Sequence, residues 1–200
     1  ASGLAHKGCR VLIADMGYNE KLYHWLGIKP AEDSKSIRVS RMGIDLLNMT
    51  VSIDIATGAA LFSPDIKQLD YDYLLVLPTS KSDCYLLNEL SVYVITCTDL
   101  SHSNDVADII SLENYLHDSV GRANRISLLV FNKINTKEWE HNSQQLFALA
   151  DYFGYERISD PIPYCERIHD LQLERCTVWE LSQQNLQAAF MSLVEAVELL

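Results

Sequence analysis

Positive charge is what this sequence has least of: 16 Lys and Arg stand against 27 Asp and Glu, a formal net charge of -11 over 200 residues. A protein that grips phosphate backbones needs a basic face, so general nucleic-acid binding is not expected. Paired cysteines are missing as well. Cys9, Cys84, Cys97, Cys165 and Cys176 are odd in number, widely spaced and form no C-x-x-C, which argues against a zinc site or a disulfide framework and for a reduced cytoplasm. No two of His6, His24, His102, His117, His141 and His169 stand at a metal-binding spacing such as i, i+4, so ordinary polar roles are expected of them. No apolar run reaches the length of a membrane span, and no charged leader precedes a signal-like core.

What is present is enough apolar material for a real core. Hydrophobic residues make up 48% of the chain, and strand-like runs alternate with helix-like ones, the pattern of a single α/β domain over residues 1–200. The run Leu69 to Pro78, L-D-Y-D-Y-L-L-V-L-P, lacks polar alternation and suits a central parallel strand covered on both faces. Its carboxyl end points at the rim where open α/β sheets bind ligands, and Leu77 sits there with no acid beside it.

Taken in order, Ala1 to Lys7 reads as the tail of a helix ended by Gly8, and Cys9 to Asp15 as a buried strand closed by an acid. Leu22 to Leu26 is a short helix with Trp25 as an anchor. Ser36 to Ile55 alternates as a bent hairpin or two short strands, and Ser63-Pro64-Asp65 opens a short helix. Beyond Pro78 come a helix over Asp83 to Leu90, a strand over Ser91 to Cys97 and a polar loop from Asp99 to Asp105. Val106 to His117 has apolar residues at helical spacing, Arg125 to Phe131 is a buried strand, and Glu140 to Phe153 is an amphipathic helix capped by Gly154. Tyr155 to Ile158 suits an edge strand, Asp160-Pro161-Ile162-Pro163 a rigid turn, and Tyr164 to Leu173 and Ser182 to Leu200 two final helices. The four buried runs at Val11, Leu74, Val94 and Leu129 are expected to be parallel neighbours in one sheet.

With these residues in this order, the chain resembles the ParA/MinD family of P-loop ATPases. K-G-C-R-V-L-I-A-D is similar to the family's segment after the nucleotide-binding helix, L-Y-H-W-L-G to the stretch beyond it, and Tyr71 to Pro78 to the Walker B strand. Val92 to Thr96 resembles the next strand and Asn132-Lys133 the asparagine ending the base-side strand. D-P-I-P-Y-C-E-R-I-H-D with T-V-W-E-L resembles the isoleucine-proline turn and final segment. The resemblance implies a mostly parallel sheet flanked by helices on both faces, a P-loop NTPase-like fold that binds ATP and Mg²⁺ at its carboxyl rim and dimerises over the nucleotide. Asp15 would then be the cation ligand, and Asp15, Asn132, Pro161 and Pro163 would line the nucleotide pocket.

The departures from that pattern carry as much information. No G-x-x-x-x-G-K-[ST] loop occurs in these residues, although its backbone cradle and lysine hold the β and γ phosphates. In the family it would precede Ala1, so the expectation is a chain lacking its first strand and phosphate loop, with an open slot between the strands of Val11 and Leu74. By the same resemblance the Walker B aspartate falls on Leu77 and the second acid of the family's D-x-D on Gly17, leaving only Asp15. An aliphatic side chain cannot hold a hydrated cation, and losing a water-orienting group typically costs about 10²- to 10⁴-fold in rate. ATP and Mg²⁺ binding is thus expected to be weak or absent.

Three local alternatives stay open on sequence grounds. Asp15 holds Mg²⁺ or caps the turn after its strand, and Asn132 meets an adenine or is a strand-end turn residue. Thr79-Ser80-Lys81-Ser82 lies where a phosphate loop belongs but has no glycine to fold its N–H groups around a phosphate, so an ordinary strand-to-helix turn capped by Ser82 or Thr79 is the favoured reading. The last helix has no Lys or Arg from Ser182 onward, so docking on the domain or on a partner is expected rather than attachment to anionic lipid. Two functions follow from this reading. One is a degenerate, non-enzymatic domain for positioning or assembly of a cytoplasmic machine, working through self-association and a protein partner; the other is a working partitioning or positioning ATPase whose P-loop lies outside these residues.

Overall fold

The computed structural model describes residues 1–17, 19–29, 37–53, 60–63, 68–80, 83, 92–102, 105–120, 125–135, 137 and 139–200. They fall into two compact units, residues 1–89 with 167–181, and residues 90–166 with 182–200. Both units pair parallel strands with flanking helices, so the chain is α/β as its sequence indicates.

In the first unit, α1 (Ser2–His6) ends at Lys7, and Gly8 takes a left-handed φ of +88° that turns the chain into β1 (Val11–Asp15). Every residue of β1 is buried, because it pairs in parallel on one side with β3 (Ile44–Asn48) and on the other with β6 (Tyr73–Leu77). β2 (Arg38–Val39) returns antiparallel onto β3, so the expected hairpin around Arg41-Met42-Gly43 is present, and the sheet order is β2-β3-β1-β6. A separate antiparallel pair is formed by β4 (Thr50–Ile53) and β5 (Ala60–Ser63).

Two expectations are corrected here. β1 rather than the Leu69 to Pro78 run is the central strand; β6 pairs only with β1 among the described residues, and its Leu74 and Leu77 are exposed. Nor is there a slot between the Val11 and Leu74 strands, since they are hydrogen-bonded in full register from Val11↔Tyr73 to Asp15↔Leu77. An apolar run is compatible with a strand covered on one face and one edge only, and sequence alone does not separate the two cases.

Outside the sheet, α2 (Glu20–Leu26) begins at Asn19, whose side chain accepts the Leu22 N–H, and ends at Gly27 in the left-handed region. It packs on α5 (Arg167–Glu174), and the Trp25 indole donates to the Cys176 carbonyl at 2.8 Å, the anchor expected of that tryptophan. The short Val178–Glu180 turn that follows carries a reciprocal capping box between Thr177 and Glu180.

In the second unit, β7 (Val94–Thr98) and β8 (Ile126–Phe131) pair in parallel, so the four buried runs are all parallel strands but lie in two sheets. α3 (Asp105–Tyr115), continued by a π turn over Leu116–Val120, connects them, and α4 (Trp139–Phe153) follows, capped by Gly154 at φ +86°. α6 (Gln184–Glu198) buries Leu186 and Val194 and packs on β8, as its lack of positive charge suggests. Tyr155–Arg157 is a 3-10 turn and not an edge strand; only Ile158 bridges to Leu129. The Asp160 to Pro163 segment is extended rather than a turn: Ile162 is buried, its N–H donates to the Phe131 carbonyl, and Pro163 bridges Ile134. Proline lacks a donor but keeps its carbonyl, so alternate residues still pair along the strand end. The helices expected after Ser63 and over Asp83 to Leu90 lie outside the described residues, Asp83 apart.

One buried ion pair fixes the start of β8. The Glu113 carboxylate on α3 accepts the Ile126 N–H at 2.7 Å and Arg157 Nη2 at 2.7 Å, while Arg157 Nε donates to the Ile126 carbonyl at 2.8 Å. Removing one member of such a pair strands the other away from water, and typically costs about 3–5 kcal/mol. Glu113→Ala is therefore expected to destabilise the second unit by about 3 kcal/mol and to accelerate hydrogen exchange along β8, whereas Glu113→Met with Arg157→Met recovers part of the loss; equal exchange in the single and double variants would show that the charges are not coupled.

Candidate functional site

The carboxyl ends of parallel strands gather the candidate residues, because neighbouring strands finish there together. In the first unit the rim is built by β1 and β6. Asp15 is buried, and its two oxygens are already engaged: Oδ1 accepts the Gly17 N–H at 3.3 Å and Oδ2 the Asn19 N–H at 2.6 Å. Its main chain is fixed as well, since Met49 N–H donates to the Asp15 carbonyl and Met16 N–H to the Leu77 carbonyl. Asp15 thus caps the turn that leads into α2.

Leu77 is the register partner of Asp15, so an aliphatic side chain stands beside the carboxylate where the resemblance would place a Walker B acid. Gly17 is held against the next turn. A Cβ built on it would overlap the Thr79 Cγ2 methyl, and that methyl is not free to swing aside, because Thr79 Oγ1 donates to Asp83 Oδ2 at 2.6 Å. The same Asp83 oxygen accepts the Thr79 N–H at 2.9 Å and the Ser80 N–H at 2.8 Å. Backbone donors that a phosphate would need are therefore filled by an internal carboxylate, which speaks against a phosphate loop at Thr79 and Ser80; Lys81, Ser82 and the helix expected after them lie outside the described residues. The Thr79 hydroxyl, followed by the Ser80 and Thr79 N–H groups, holds the Asp83 carboxyl below the usual carboxylate range despite partial desolvation.

Mg²⁺ requires near-octahedral oxygen ligation with room for its waters. At this rim, the one acid the sequence kept is spent on backbone N–H groups, its neighbour is leucine, and the Gly17 position has no space for a second acid. These residues do not fit a nucleotide-bound Mg²⁺.

In the second unit, β7 and β8 end beside a recess of about 320 Å³ lined by Cys97, Thr98, Asp99, Asp105, Asn132 and Lys133. Asn132 N–H donates to the Thr98 carbonyl at 2.7 Å and its side-chain oxygen accepts the Lys133 N–H at 3.0 Å, a strand-end turn in which Lys133 has φ +57°. Leu100, fully buried, also has a positive φ of +53°. Non-glycine residues in this region cost of order 1 kcal/mol or more and cluster at functional sites. Pro161 and Pro163 do not line the recess; they belong to the extended segment on the far side of β8 from β7's partner edge, joined to it through Ile158, Ile162 and Ile134. Asp15 belongs to the first unit, and Asn132, Pro161 and Pro163 to the second.

The sequence reading missed a cluster of which two members, Asp99 and Asp105, line this recess. Asp99, His102 and Asp105 each place a ligand atom within 4.8 Å of the other two. A search for histidine pairs overlooks it, whereas the D-x-x-H-x-x-D spacing would have shown it. A second recess, about 470 Å³, lies at the opposite end of β1, where Arg10 pairs with Asp70 and Tyr71 donates to Asp45.

Neither a protein-family model nor a curated protein matches the chain. Solved structures do. The chain is similar to MinD of the MinC:MinD cell division complex of Aquifex aeolicus (TM-score 0.69, 15% identity, 99% of this chain and 86% of that one). It is similar to apo McdA of Cyanthece (0.71, 13%, 98% and 90%). It is also similar to the MinD cell division protein of Aquifex aeolicus (0.64, 18%, 99% and 86%). The ParA/MinD-like fold, a mostly parallel sheet with helices, is thereby shown.

Two tests address the first rim. Gly17→Ala is expected to cost about 1 kcal/mol or more through overpacking, and Thr79→Ser, which deletes Cγ2 and keeps the hydroxyl, should remove most of that cost; additive effects in urea melts would show that the contact is unimportant. Because the Asp83 carboxyl is depressed, its contribution is complete above the ordinary carboxylate pKa and is lost as pH falls through the lowered value. Exchange of the Thr79 and Ser80 amides should accelerate only in that acid window, and should lose its pH step in Asp83→Asn.

Proposed function

We propose that this chain is a ParA/MinD-like domain that acts without ATP turnover, as a positioning or assembly component of a cytoplasmic machine. The observation that carries the reading is the closed first rim: Asp15 caps its own turn, Leu77 stands beside it, and the Thr79 methyl fills the space at Gly17. Phosphoryl transfer is catalysed almost wholly by positioning and electrostatics. A rim without two of its acids has little of either.

Activity would then reside in surfaces. The MinD neighbour was solved in a complex with MinC, which supports a protein partner for a chain of this fold, with self-association as the second expected contact. No described helix is long and apolar enough to cross a membrane. Nucleotide binding, if retained, would be weak, with Asn132 at the second rim and Asp15 at the first as the residues the family resemblance points to.

Steady-state phosphate release by the full-length natural protein, with saturating Mg²⁺ and ATP and with its co-purifying partner, is the test. No turnover above background is expected, while self-association measured by sedimentation is unchanged by ATP. Restoring the acids requires relief of the Thr79 contact, so the comparison variant is Leu77→Asp, Gly17→Asp, Thr79→Ser, which should gain Mg²⁺ affinity. Turnover in the unmodified protein that Asp15→Ala abolishes would replace this reading with the ATPase.

A further inference from the structure

Beside the recess at the end of β7 and β8, which Asp99 and Asp105 line, stands a set of side chains whose chemistry is unlike that of the first rim. Asp99 follows β7 directly, Asp105 opens α3, and His102 lies between them, with one ligand atom of each within 4.8 Å of the other two. His102 Nδ1 and Asp105 Oδ1 are 3.8 Å apart. Ligand atoms about 2.1 Å from a tetrahedral ion stand roughly 3.4 Å apart, so a small movement of His102, whose side chain is 80% exposed, closes the set.

Charge favours closing it around a cation. Asp99 and Asp105 bring like charges together beside the recess, and Lys133 is the one lysine lining it. The Asp105 Oδ2 accepts the His102 N–H at 3.0 Å, so Oδ1 is the oxygen turned toward the imidazole. Ser101 Oγ donates to Asp99 at 2.6 Å and lies 2.8 Å from His102 Nδ1, a contact the imidazole gives up when that nitrogen turns to a cation.

We propose that Asp99, His102 and Asp105 form a three-ligand site for a divalent transition metal of the zinc class, open to the recess at its fourth position. Imidazole with two carboxylates suits Zn²⁺, Co²⁺ or Mn²⁺, whereas Mg²⁺ prefers an all-oxygen octahedron. Three protein ligands and an open position are the arrangement of reactive rather than purely structural zinc sites. The site does not depend on the fate of ATP: its residues belong to the second unit, and the acid the resemblance assigns to Mg²⁺ belongs to the first.

The experiment titrates the metal-stripped full-length protein with Co²⁺, followed by its visible absorption bands, and with Zn²⁺ against a chromophoric chelator, with Mg²⁺ as the comparison ion. One equivalent is expected to bind, at least tenfold more tightly than Mg²⁺. His102→Ala and Asp105→Asn should each weaken it by about tenfold or more, the range seen when support for a metal ligand is removed. His102 is exposed and its loss leaves the fold intact, which near-ultraviolet circular dichroism verifies; Asp105→Asn keeps an acceptor for the His102 N–H. Unchanged affinity in His102→Ala overturns the proposal. So does binding that disappears in Cys97→Ser while His102→Ala is unaffected, since the metal would then sit on a thiol.

Discussion

The register of β1 against β6 is the constraint on which the first unit rests. Arg10 sets it at the amino end, where its backbone N–H donates to Asp72 at 2.7 Å and its guanidinium to Asp70 and Asp72, and the Asp72 N–H returns to the Arg10 carbonyl. Each of these charges is exposed, so their worth is in fixing alignment rather than in bulk stability. A slip of one residue would turn every β6 side chain to the opposite face. From the chosen register it follows that Asp15 meets Leu77, that Met16 N–H reaches the Leu77 carbonyl, and that the turn after β6 arrives with Thr79 against Gly17. The chemistry of the rim is thus decided by pairs formed at the other end of the strands.

The second unit uses a different device for the same purpose. Both backbone groups of Ile126, the first residue of β8, are taken by the Glu113 and Arg157 pair, and Arg157 lies 5.0 Å from the centre of the Phe153 ring at the end of α4. A helix, a strand and a 3-10 turn are therefore joined at one residue. Burial makes the pair costly to break but does not make it a net source of stability, because the same desolvation must be overcome when it forms. Its value is placement: β8 begins where Glu113 puts it, and Asn132 and Lys133 end it at the recess.

Strands and long helices were legible in the sequence because their apolar patterns are local. Val11 to Ala14, Leu128 to Phe131 and the helices over Trp139–Phe153 and Gln184–Glu198 stand within a residue or two of where periodicity places them. The ParA/MinD-like fold was legible in their order. What the pattern hides is pairing: the LLVL run of β6 and the VLIA run of β1 look alike, yet among the described residues β1 is flanked on both sides and β6 on one. Glu113 carries no local signal of its role, since nothing in the neighbouring residues says that Ile126 N–H will lie 2.7 Å away. The losses at Leu77 and Gly17 were visible by resemblance, but the reason Gly17 cannot simply be replaced lies in Thr79, 62 positions along the chain. Asp99, His102 and Asp105 were passed over as a polar loop, because histidine and cysteine spacings alone do not reveal a mixed D-x-x-H-x-x-D set.

The two rims share a chemical feature that bears on what they bind. A phosphate site leaves backbone N–H groups pointing at an open space, so that an anion completes them. Here the turns complete themselves: Asp15 takes Gly17 and Asn19, Asp83 takes Thr79 and Ser80, Asp99 takes Ser101, Asp105 takes His102, and Asn132 takes Lys133. Each of these acceptors would have to be displaced before an anion could use the same donors, and the four aspartates among them would repel it as it approached. With a chain charge of -11, the surrounding field adds to that barrier. The same oxygens that exclude a phosphate are suited to a cation, and among the described residues it is around Asp99 and Asp105 that two carboxylates converge with an imidazole instead of standing alone over a turn.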